Sequence, residues 1–334
     1  MRKNLFLLAL VIAACFISCK DTDNQKNNGN PDTGNTGNTG NTDNTGNTGN
    51  TGNTDKPGND DMPVLGQDDF IAYFTETPPV IDGKGDDPCW AKSEWQDIKY
   101  AWMYQSPMSL PTGASVPNPA GGAIEKTADF SGRFKVVWTA DRLYVLTEII
   151  DDQIKTPNTS NVYQNPENND CLEIFISESA STSTQARGTT ASSTSHFFAY
   201  HMNFTDMVSA LDYVGGTNNT TATDPNVRIE GGFIKRNHHL NFKIGKNDTT
   251  HTYIWETEMK VYDSTYPVIT SPEDRTPVTL TKGKKMGFAV AYNDNDSTKR
   301  DHFIGSMYVQ GASDNDRNQG YKNASVYAKM YLLK

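Results

Sequence analysis

Alternation of apolar and polar residues dominates the chain from about residue 67 onward. In the segment 253–261, every second residue is apolar or Thr, and most of the intervening residues are charged. Because successive side chains of a β-strand point to opposite faces, this period of two predicts a strand with one buried side. The same rule predicts strands at residues 134–138, 143–150, 172–176, 197–203, 285–292 and 326–333.

Amphipathic helical periods of useful length are almost absent, so the sequence predicts an all-β domain. This number of alternating strands favours an antiparallel β-sandwich of jelly-roll type, with a closed barrel as the main alternative. Long loop insertions rich in Ser, Thr, Gly and Pro interrupt the pattern at residues 106–127, 177–195, 215–224 and 262–282. The composition of the segment 177–195 favours a mobile surface loop with no part in a binding site. The other three segments are candidates for the walls of such a site.

The N-terminus predicts export. Residues 1–18 begin with Met-Arg-Lys and continue as an apolar run too short to span a bilayer permanently, which is typical of a signal peptide. Residues 16–19, Phe-Ile-Ser-Cys, resemble a bacterial lipobox, which implies that Cys19 is lipidated and anchors the protein in a membrane. An ordinary signal peptide with an incidental cysteine is the alternative. Residues 20–23 resemble the acidic export signals of Bacteroidetes-type bacteria, which imply an outer membrane lipoprotein exposed on the cell surface.

Residues 19–66 predict a disordered linker. Between Asn24 and Met62 the chain repeats Thr-Gly-Asn and contains no aromatic residue and no Val, Ile or Leu, so it has nothing to bury in a core. A Gly-rich coil of roughly forty residues spans about 35 Å on average. The linker is therefore interpreted as a spacer, or else as a low-complexity expansion of no selected length. Residues 67–334 then form a single domain.

The net charge restricts the class of partner, and the cysteine content restricts the possible disulfides. The net charge of −10 disfavours nucleic acid and anionic lipid as partners and favours an uncharged one. After removal of the signal peptide and lipidation of Cys19, the remaining cysteines are Cys89 and Cys171. They form either a disulfide or two buried thiols.

A series of motifs, taken in order, resembles the family 9 carbohydrate-binding modules. These motifs are Pro79-Val80-Ile81-Asp82-Gly83, Asp86-Asp87-Pro88-Cys89-Trp90, residues 134–138, Leu143-Tyr144-Val145, residues 170–176, Gly287-Phe288-Ala289-Val290 with Asn293-Asp294, and residues 327–332. The resemblance implies a β-sandwich that binds the ends of plant polysaccharide chains and contains calcium. Glu173 matches the ligand-contacting glutamate of the family.

The resemblance also implies where the sugar would bind. Two tryptophans clamp the sugar in the best-known members, and residues 165–168 and 316–319 occupy their places here. Tyr163 and Tyr321 lie near these places and are the candidate sugar-binding aromatics. The position of a sugar-binding arginine corresponds to Phe198.

Exposed aromatic rings beside planar polar groups are the signature of sugar recognition. Tyr100, Trp102 and Tyr104 alternate along a predicted strand, so they form either a binding platform or part of the sandwich interior. Trp90, Trp138 and Trp255 are predicted to be core residues, and Trp95 is left undecided.

Acidic, Asn-rich loops offer the oxygen ligands that calcium prefers. The candidate calcium ligands are Asp294 and Asp296 in the run 293–296, with residues 314–316 and the pair Asp151-Asp152 as further candidates. A solvated acidic turn is the alternative interpretation.

No sequence motif of catalysis is present. A glycoside hydrolase needs two carboxylates, for which Glu148, Glu173 and Glu256 are the candidates. His201 and Met202 are neighbours in a strand and diverge, so they cannot bind one haem iron together. We therefore favour a non-catalytic carbohydrate-binding lipoprotein that captures oligosaccharide or polysaccharide for catabolism and works with other glycan-uptake proteins. A glycoside hydrolase and an adhesion or envelope-assembly protein are the alternatives.

Overall fold

The structure is a computed structural model, and it describes residues 62–104, 130–156, 161–180, 197–204, 207–215, 218–267, 275–296, 298–311 and 313–334. The predicted signal peptide, Cys19, nearly all of the predicted linker and the segment 106–127 lie outside the described residues. None of the helices in these ranges is long and apolar enough to cross a membrane.

The described chain contains fifteen β-strands. They are β1 (Phe70–Phe74), β2 (Gln96–Ile98), β3 (Tyr100–Tyr104), β4 (Phe130–Trp138), β5 (Leu143–Asp151), β6 (Cys171–Ser177), β7 (Phe198–Asn203), β8 (Ala210–Tyr213), β9 (Ile229–Glu230), β10 (Phe233–Lys235), β11 (Leu240–Asn247), β12 (Thr252–Met259), β13 (Lys285–Asp294), β14 (His302–Gly305) and β15 (Ala328–Leu333). Helical structure in the same ranges is limited to the short helix α1 (Asp314–Arg317) and to 3-10 turns at Pro88–Lys92, Pro166–Asn168 and Ala324–Val326. The all-β prediction is confirmed.

All fifteen strands belong to one hydrogen-bonded sheet, in which twelve follow the order β11-β12-β5-β4-β1-β15-β13-β6-β7-β8-β10-β9. Of the other three, β2 pairs with β4, β14 pairs with β13, and β3 pairs with β14. The sheet folds over at β1, so that β11, β12, β5 and β4 form one layer and the strands from β15 to β9 form the other. The pairing is antiparallel except at β1, which runs parallel to both β15 and β4. The two end strands, β11 and β9, do not pair with each other in the described chain, so the molecule is an open sandwich rather than a closed barrel.

The main core lies between the two layers. Phe134 of β4 packs against Phe288 of β13 with ring centroids 6.0 Å apart, and Phe130 stacks on Tyr292 at 5.6 Å. Trp255 of β12 contacts Tyr292 at 6.1 Å. These rings come from the buried faces of strands in opposite layers, which confirms the sandwich and the core assignment of Trp255.

The loop before the Pro88–Lys92 turn is fastened to the outer face of the first layer. The buried carboxylate of Glu256 accepts hydrogen bonds from the Asp82 N–H (3.1 Å), the Gly83 N–H (2.7 Å) and the Trp90 indole N–H (3.2 Å). Gly83 has a φ of 85° and lies against Gly245, where a Cβ on Gly245 would come within 1.9 Å of the Gly83 carbonyl oxygen. Glu256 therefore holds the loop in place, and Trp90 is buried as predicted.

Of the two alternatives for the cysteines, the structure contains the buried thiols: Cys89 and Cys171 are both free and buried. Cys89 packs with Trp90 and Val137 on the outer face of the first layer, whereas Cys171 begins β6 in the second layer. Burial raises the pKa of the Cys89 thiol to about 11, so this thiol is protonated near neutral pH.

Candidate functional site

A cleft of about 230 Å³ opens on the outer face of the second layer. Four aromatic side chains line it, from Tyr213 in β8, Phe233 in β10, Phe303 in β14 and Tyr321 in the loop before β15. The polar lining consists of Glu167, Glu173, His201, Arg300 and Asn318. The cleft thus combines apolar ring surface with carboxylate, amide, imidazole and guanidinium groups.

The pleat of β6 and β7 turns Glu173 and His201 into the cleft. Ile174 and Tyr200, their neighbours along each strand, point the other way into the main core. Glu173 pairs directly with His201 across the two strands. The resemblance aligned Phe198 with the family's sugar-binding arginine, but the side chain of Phe198 belongs to the main core. The basic residue opposite Glu173 is His201.

A chain of polar contacts starts at Glu173. Its Oε1 accepts a hydrogen bond from Asn293 Nδ2 at 2.5 Å and lies 3.1 Å from His201 Nε2. Asn293 Oδ1 in turn accepts from Arg300 Nη1 at 2.6 Å. The Arg300 guanidinium also lies over the Phe303 ring, 4.7 Å from its centroid. These contacts fix the orientation of Glu173 and Arg300 before any ligand binds.

Two buried oxygen atoms of the cleft lack hydrogen-bond partners among the described residues. They are Oε2 of Glu167, in the 3-10 turn Pro166–Asn168, and Oδ1 of Asn318. An unsatisfied buried polar atom costs about 1–3 kcal/mol, so such atoms are normally paired with a ligand or with water. Both oxygens are acceptors, which fits a ligand that brings hydroxyl donors.

Two tyrosines give the cleft its half-buried aromatic surface. The rings of Tyr213 and Tyr321 meet edge to face, with centroids 5.3 Å apart and an interplanar angle of 78°. Rings in this setting offer apolar contact to the C–H groups of a sugar. Tyr321, predicted from the sequence, lines the cleft together with Glu173.

The other predicted aromatic residues do not line the cleft. Trp102 is 1% exposed, packs between Phe175 and Phe303, and donates its indole N–H to the Met307 carbonyl oxygen at 2.9 Å. Tyr100 is 8% exposed and donates to Asp68 at 2.8 Å. The platform hypothesis is therefore corrected, because both rings are buried in a second core cluster, together with Phe175 and Phe303, on the outer face of the second layer. The side chain of Tyr104 lies outside the described residues.

The ring of Tyr163 is also buried and does not line the cleft. It is 6% exposed and packs with Leu211 and Phe233, and the members of this cluster that reach the cleft are Phe233 and Tyr213. Its position near the predicted site was correct, but its ring is covered.

The three glutamates considered for hydrolysis lie at different places. Glu148 accepts a hydrogen bond from Arg133 Nε at 2.6 Å on the outer face of the first layer, and Glu256 fastens the loop described above. Glu173 shares its cleft with Glu167 instead, a residue that the sequence analysis did not single out. The structure therefore brings Glu173 together with Glu167 and not with Glu148 or Glu256.

A separate group of buried carboxylates lies beside the same strands. One oxygen each of Asp151, Asp170 and Asp294 lie within 4.8 Å of one another, and all three residues are buried. Asp296 belongs instead to a more exposed group with Asp151 and Asp152. The predicted pair Asp294 and Asp296 is thus divided between two groups that share Asp151.

Close packing of acids perturbs their protonation. Burial, and then the Asp294 carboxylate, raise the pKa of Asp151 to about 8, and burial with Asp151 raises that of Asp170. Asp151 accepts hydrogen bonds from the Tyr292 hydroxyl (2.6 Å) and the Gln153 N–H (2.9 Å), which hold its carboxylate in place. Buried carboxylates are normally paired or bound to a metal, so this oxygen-only donor set fits a hard cation such as calcium.

In the third calcium candidate, residues 314–316, the carboxylate of Asp316 makes hydrogen bonds within its own turn. Asp316 in α1 accepts hydrogen bonds from the Ser313 N–H at 3.1 Å and hydroxyl at 2.8 Å. These contacts fit the solvated-turn interpretation of this segment.

The chain is similar to one known protein family and to several solved structures. The sequence model of the family described as "Carbohydrate family 9 binding domain-like" matches residues 109–334. A family 9 carbohydrate-binding module from Caldicellulosiruptor kristjanssonii in complex with glucose is 17% identical, with a TM-score of 0.46 over 78% of this chain and 95% of that chain. Its complex with cellotriose gives 17% identity and a TM-score of 0.46, covering 79% of this chain and 93% of that chain.

A proposed carbohydrate-binding protein from Bacteroides uniformis is 9% identical, with a TM-score of 0.45 over 80% of this chain and its whole length. The comparison with curated proteins found no match.

Proposed function

Because the chain belongs to the carbohydrate family 9 binding domain-like proteins, we propose that it binds carbohydrate in the cleft around Glu173 without cleaving it. The observation that carries this proposal is the lining of the cleft, where half-buried tyrosine rings stand beside unpartnered oxygen acceptors. Flat apolar surface and planar polar groups together are what a pyranose ring requires.

Each part of the cleft has a role in this proposal. Tyr213 and Tyr321 contact the C–H groups of the sugar, and Arg300 donates hydrogen bonds to its oxygens. Glu173, Glu167 and Asn318 accept hydrogen bonds from its hydroxyls. A cleft of about 230 Å³ is smaller than the roughly 300–1,000 Å³ of drug-sized pockets, so it suits one terminal sugar better than a long segment of a chain.

We expect the purified protein to be retarded in affinity gels that contain plant polysaccharide and to bind cellotriose in calorimetry. Truncation of the cleft ring in Tyr321→Ala removes an aromatic contact worth about 0.5–1.5 kcal/mol, which corresponds to a loss of affinity of about three- to tenfold. Tyr308→Ala, which removes an exposed ring outside the cleft lining, is the matched control and should keep full affinity. Absence of binding to every plant and host polysaccharide tested, with and without calcium, would reject the proposal.

A calcium ion at Asp151, Asp170 and Asp294 is part of the same proposal. These residues are contributed by β5, by the segment before β6 and by β13, so a shared cation would neutralise the acids and tie three segments together. The ion would act on stability and on the rigidity of β13, the strand that also carries Asn293 of the cleft.

We also propose that the protein is a lipoprotein of the outer membrane, held at the cell surface through Cys19, that supports polysaccharide capture and catabolism together with other glycan-uptake proteins. The lipobox-like residues 16–19 and the Thr-Gly-Asn repeat support it. We expect metabolic labelling with palmitate to mark the wild-type protein and not the Cys19→Ala variant. Labelling that persists in the variant would contradict lipidation at this residue.

A further inference from the structure

Both ring nitrogens of His201 face hydrogen-bond acceptors. Nδ1 lies 3.0 Å from the Ala199 carbonyl oxygen, and Nε2 lies 3.1 Å from Oε1 of Glu173. A neutral imidazole carries one N–H and one lone pair, so it can satisfy only one of these acceptors. The imidazolium donates to both and is the form that fits the observed geometry.

The same contact determines which oxygen of Glu173 remains for a ligand. Oε1 receives both His201 Nε2 and Asn293 Nδ2, whereas Oε2 makes no hydrogen bond to any described residue. His201 therefore holds the carboxylate through one oxygen and leaves the other as an acceptor in the cleft.

We propose that His201 is a positioning residue that works as an imidazolium, and that carbohydrate binding weakens when alkaline pH removes its proton. This inference rests on the proposed function of the cleft. Without the proton, the neutral ring can donate to only one of its two acceptors, Glu173 or the Ala199 carbonyl, and the positive charge beside Glu173 is lost in either tautomer. Glu173 is then held less firmly in its orientation.

The charged groups around His201 favour the imidazolium. Glu173 on β6 and Glu167 in the 3-10 turn are the acids that face it, and Arg300 is held on the far side of Glu173 by Asn293. From β8 and β10 it meets Leu211 and Phe233, and Tyr213 and Tyr321 are the remaining titratable groups of the cleft. Burial opposes the charge, but the two glutamates outweigh it and leave the pKa of His201 above its ordinary value.

The protonation state is tested directly by NMR of the whole protein with ¹⁵N-labelled histidine. We expect both nitrogens of His201 to be protonated at pH 7 and the pKa of its imidazole to lie above the ordinary value for histidine. A His201 that is neutral at pH 6 would overturn the inference. This measurement needs no sugar, so its outcome is independent of the proposed function.

The functional part is tested by the affinity for cellotriose between pH 6 and pH 9. The wild-type affinity should fall about tenfold per pH unit above the pKa of His201, whereas His201→Arg, whose charge does not titrate in this range, should give a flat profile. His251→Asn is the control and should follow the wild type, because Asn tolerates the φ of 52° at that position.

An affinity that stays constant while the NMR signal of His201 titrates would disprove the positioning role. If no glycan binds at any pH, the proposed function fails, and the NMR result still decides the charge state of His201.

Discussion

Replacing Glu173 with glutamine should reduce the affinity for cellotriose by about 10- to 150-fold. The amide oxygen of the variant can still accept from Asn293 and His201, but its NH₂ group then replaces the free acceptor Oε2 in the cleft. The charge that pairs with the His201 imidazolium is lost as well. A hydrogen bond to a charged group is worth about 1.5–3 kcal/mol, which gives this range of affinities.

Glu148→Gln is the matched control, because Glu148 is a partly buried glutamate that pairs with Arg133 on the other layer. It should bind sugar like the wild type, and thermal melting should show that both variants are folded. An equal loss of affinity in the two variants would mean that the effect is not specific to the cleft. Release of reducing sugar by the wild type, abolished in Glu173→Gln, would favour a glycoside hydrolase over a binding protein.

Removal of calcium should lower the melting temperature by roughly 10 °C at pH 8. A ligand present at about a thousand times its dissociation constant stabilises the folded state by about 4 kcal/mol, and each kcal/mol shifts the melting temperature of a domain this size by about 2–4 °C. The reason is the repulsion among Asp151, Asp170 and Asp294, which a bound cation relieves. Differential scanning calorimetry with EDTA and with calcium measures the shift.

The calcium effect should be smaller at pH 5. Between about pH 4, the ordinary carboxyl value, and about pH 8, the raised pKa of Asp151, the folded apo-protein keeps a proton that the unfolded chain has released. Stability without calcium therefore falls as pH rises through this window, and calcium stabilises most where the protons have been lost. An equal shift at pH 5 and pH 8 would show that the ion does not replace these protons.

Two asparagine variants identify the group that binds the ion. Asp151→Asn should abolish the calcium-dependent shift, and it should raise the melting temperature in EDTA because one of the repelling charges is gone. Asp152→Asn changes only the more exposed group and should respond to calcium like the wild type. Loss of the response in Asp152→Asn would place the ion in the exposed group.

The alternation of side chains was sufficient to find the strands of six or more residues, except β11. Strand β12 spans Thr252–Met259, close to the predicted segment 253–261, because nearly every position obeys the period of two. The same signal was present in β11, where Leu240, Phe242 and Ile244 alternate mostly with polar residues, but we did not assign it. The parallel pairing of β1 could not be predicted, since no local pattern specifies a partner at the other end of the chain.

The site depended on relations between strands that a single sequence does not contain. Glu173 and Tyr321 were found from a resemblance of motifs, but His201 was discarded because it was considered only beside Met202 along its own strand. Its role follows from the register that places it opposite Glu173. The distinction between Trp102 as a core residue and as a platform likewise required knowing what covers the strand.

The three acids Asp151, Asp170 and Asp294 show the same limit. Each ends a strand or lies just beside one, which the sequence indicated, but their convergence depends on the folding of the sheet. The sequence therefore predicted which residue types form the site better than it predicted which of these residues lie together in space.

The pairing of β1 with β15 imposes an order on the folding of the chain. Phe70 lies opposite Met330, and the Trp138 indole N–H bridges the carbonyl oxygens of Ala72 and Leu333, so the two layers are joined through the first and last strands. Contacts of such long sequence separation form slowly and late. Until β15 has been synthesised, β1 has only its short pairing with β4 at Tyr73 and Phe74. The sandwich therefore closes only after β15 has joined β1, so the two layers depend on a contact between segments about 260 residues apart in the chain.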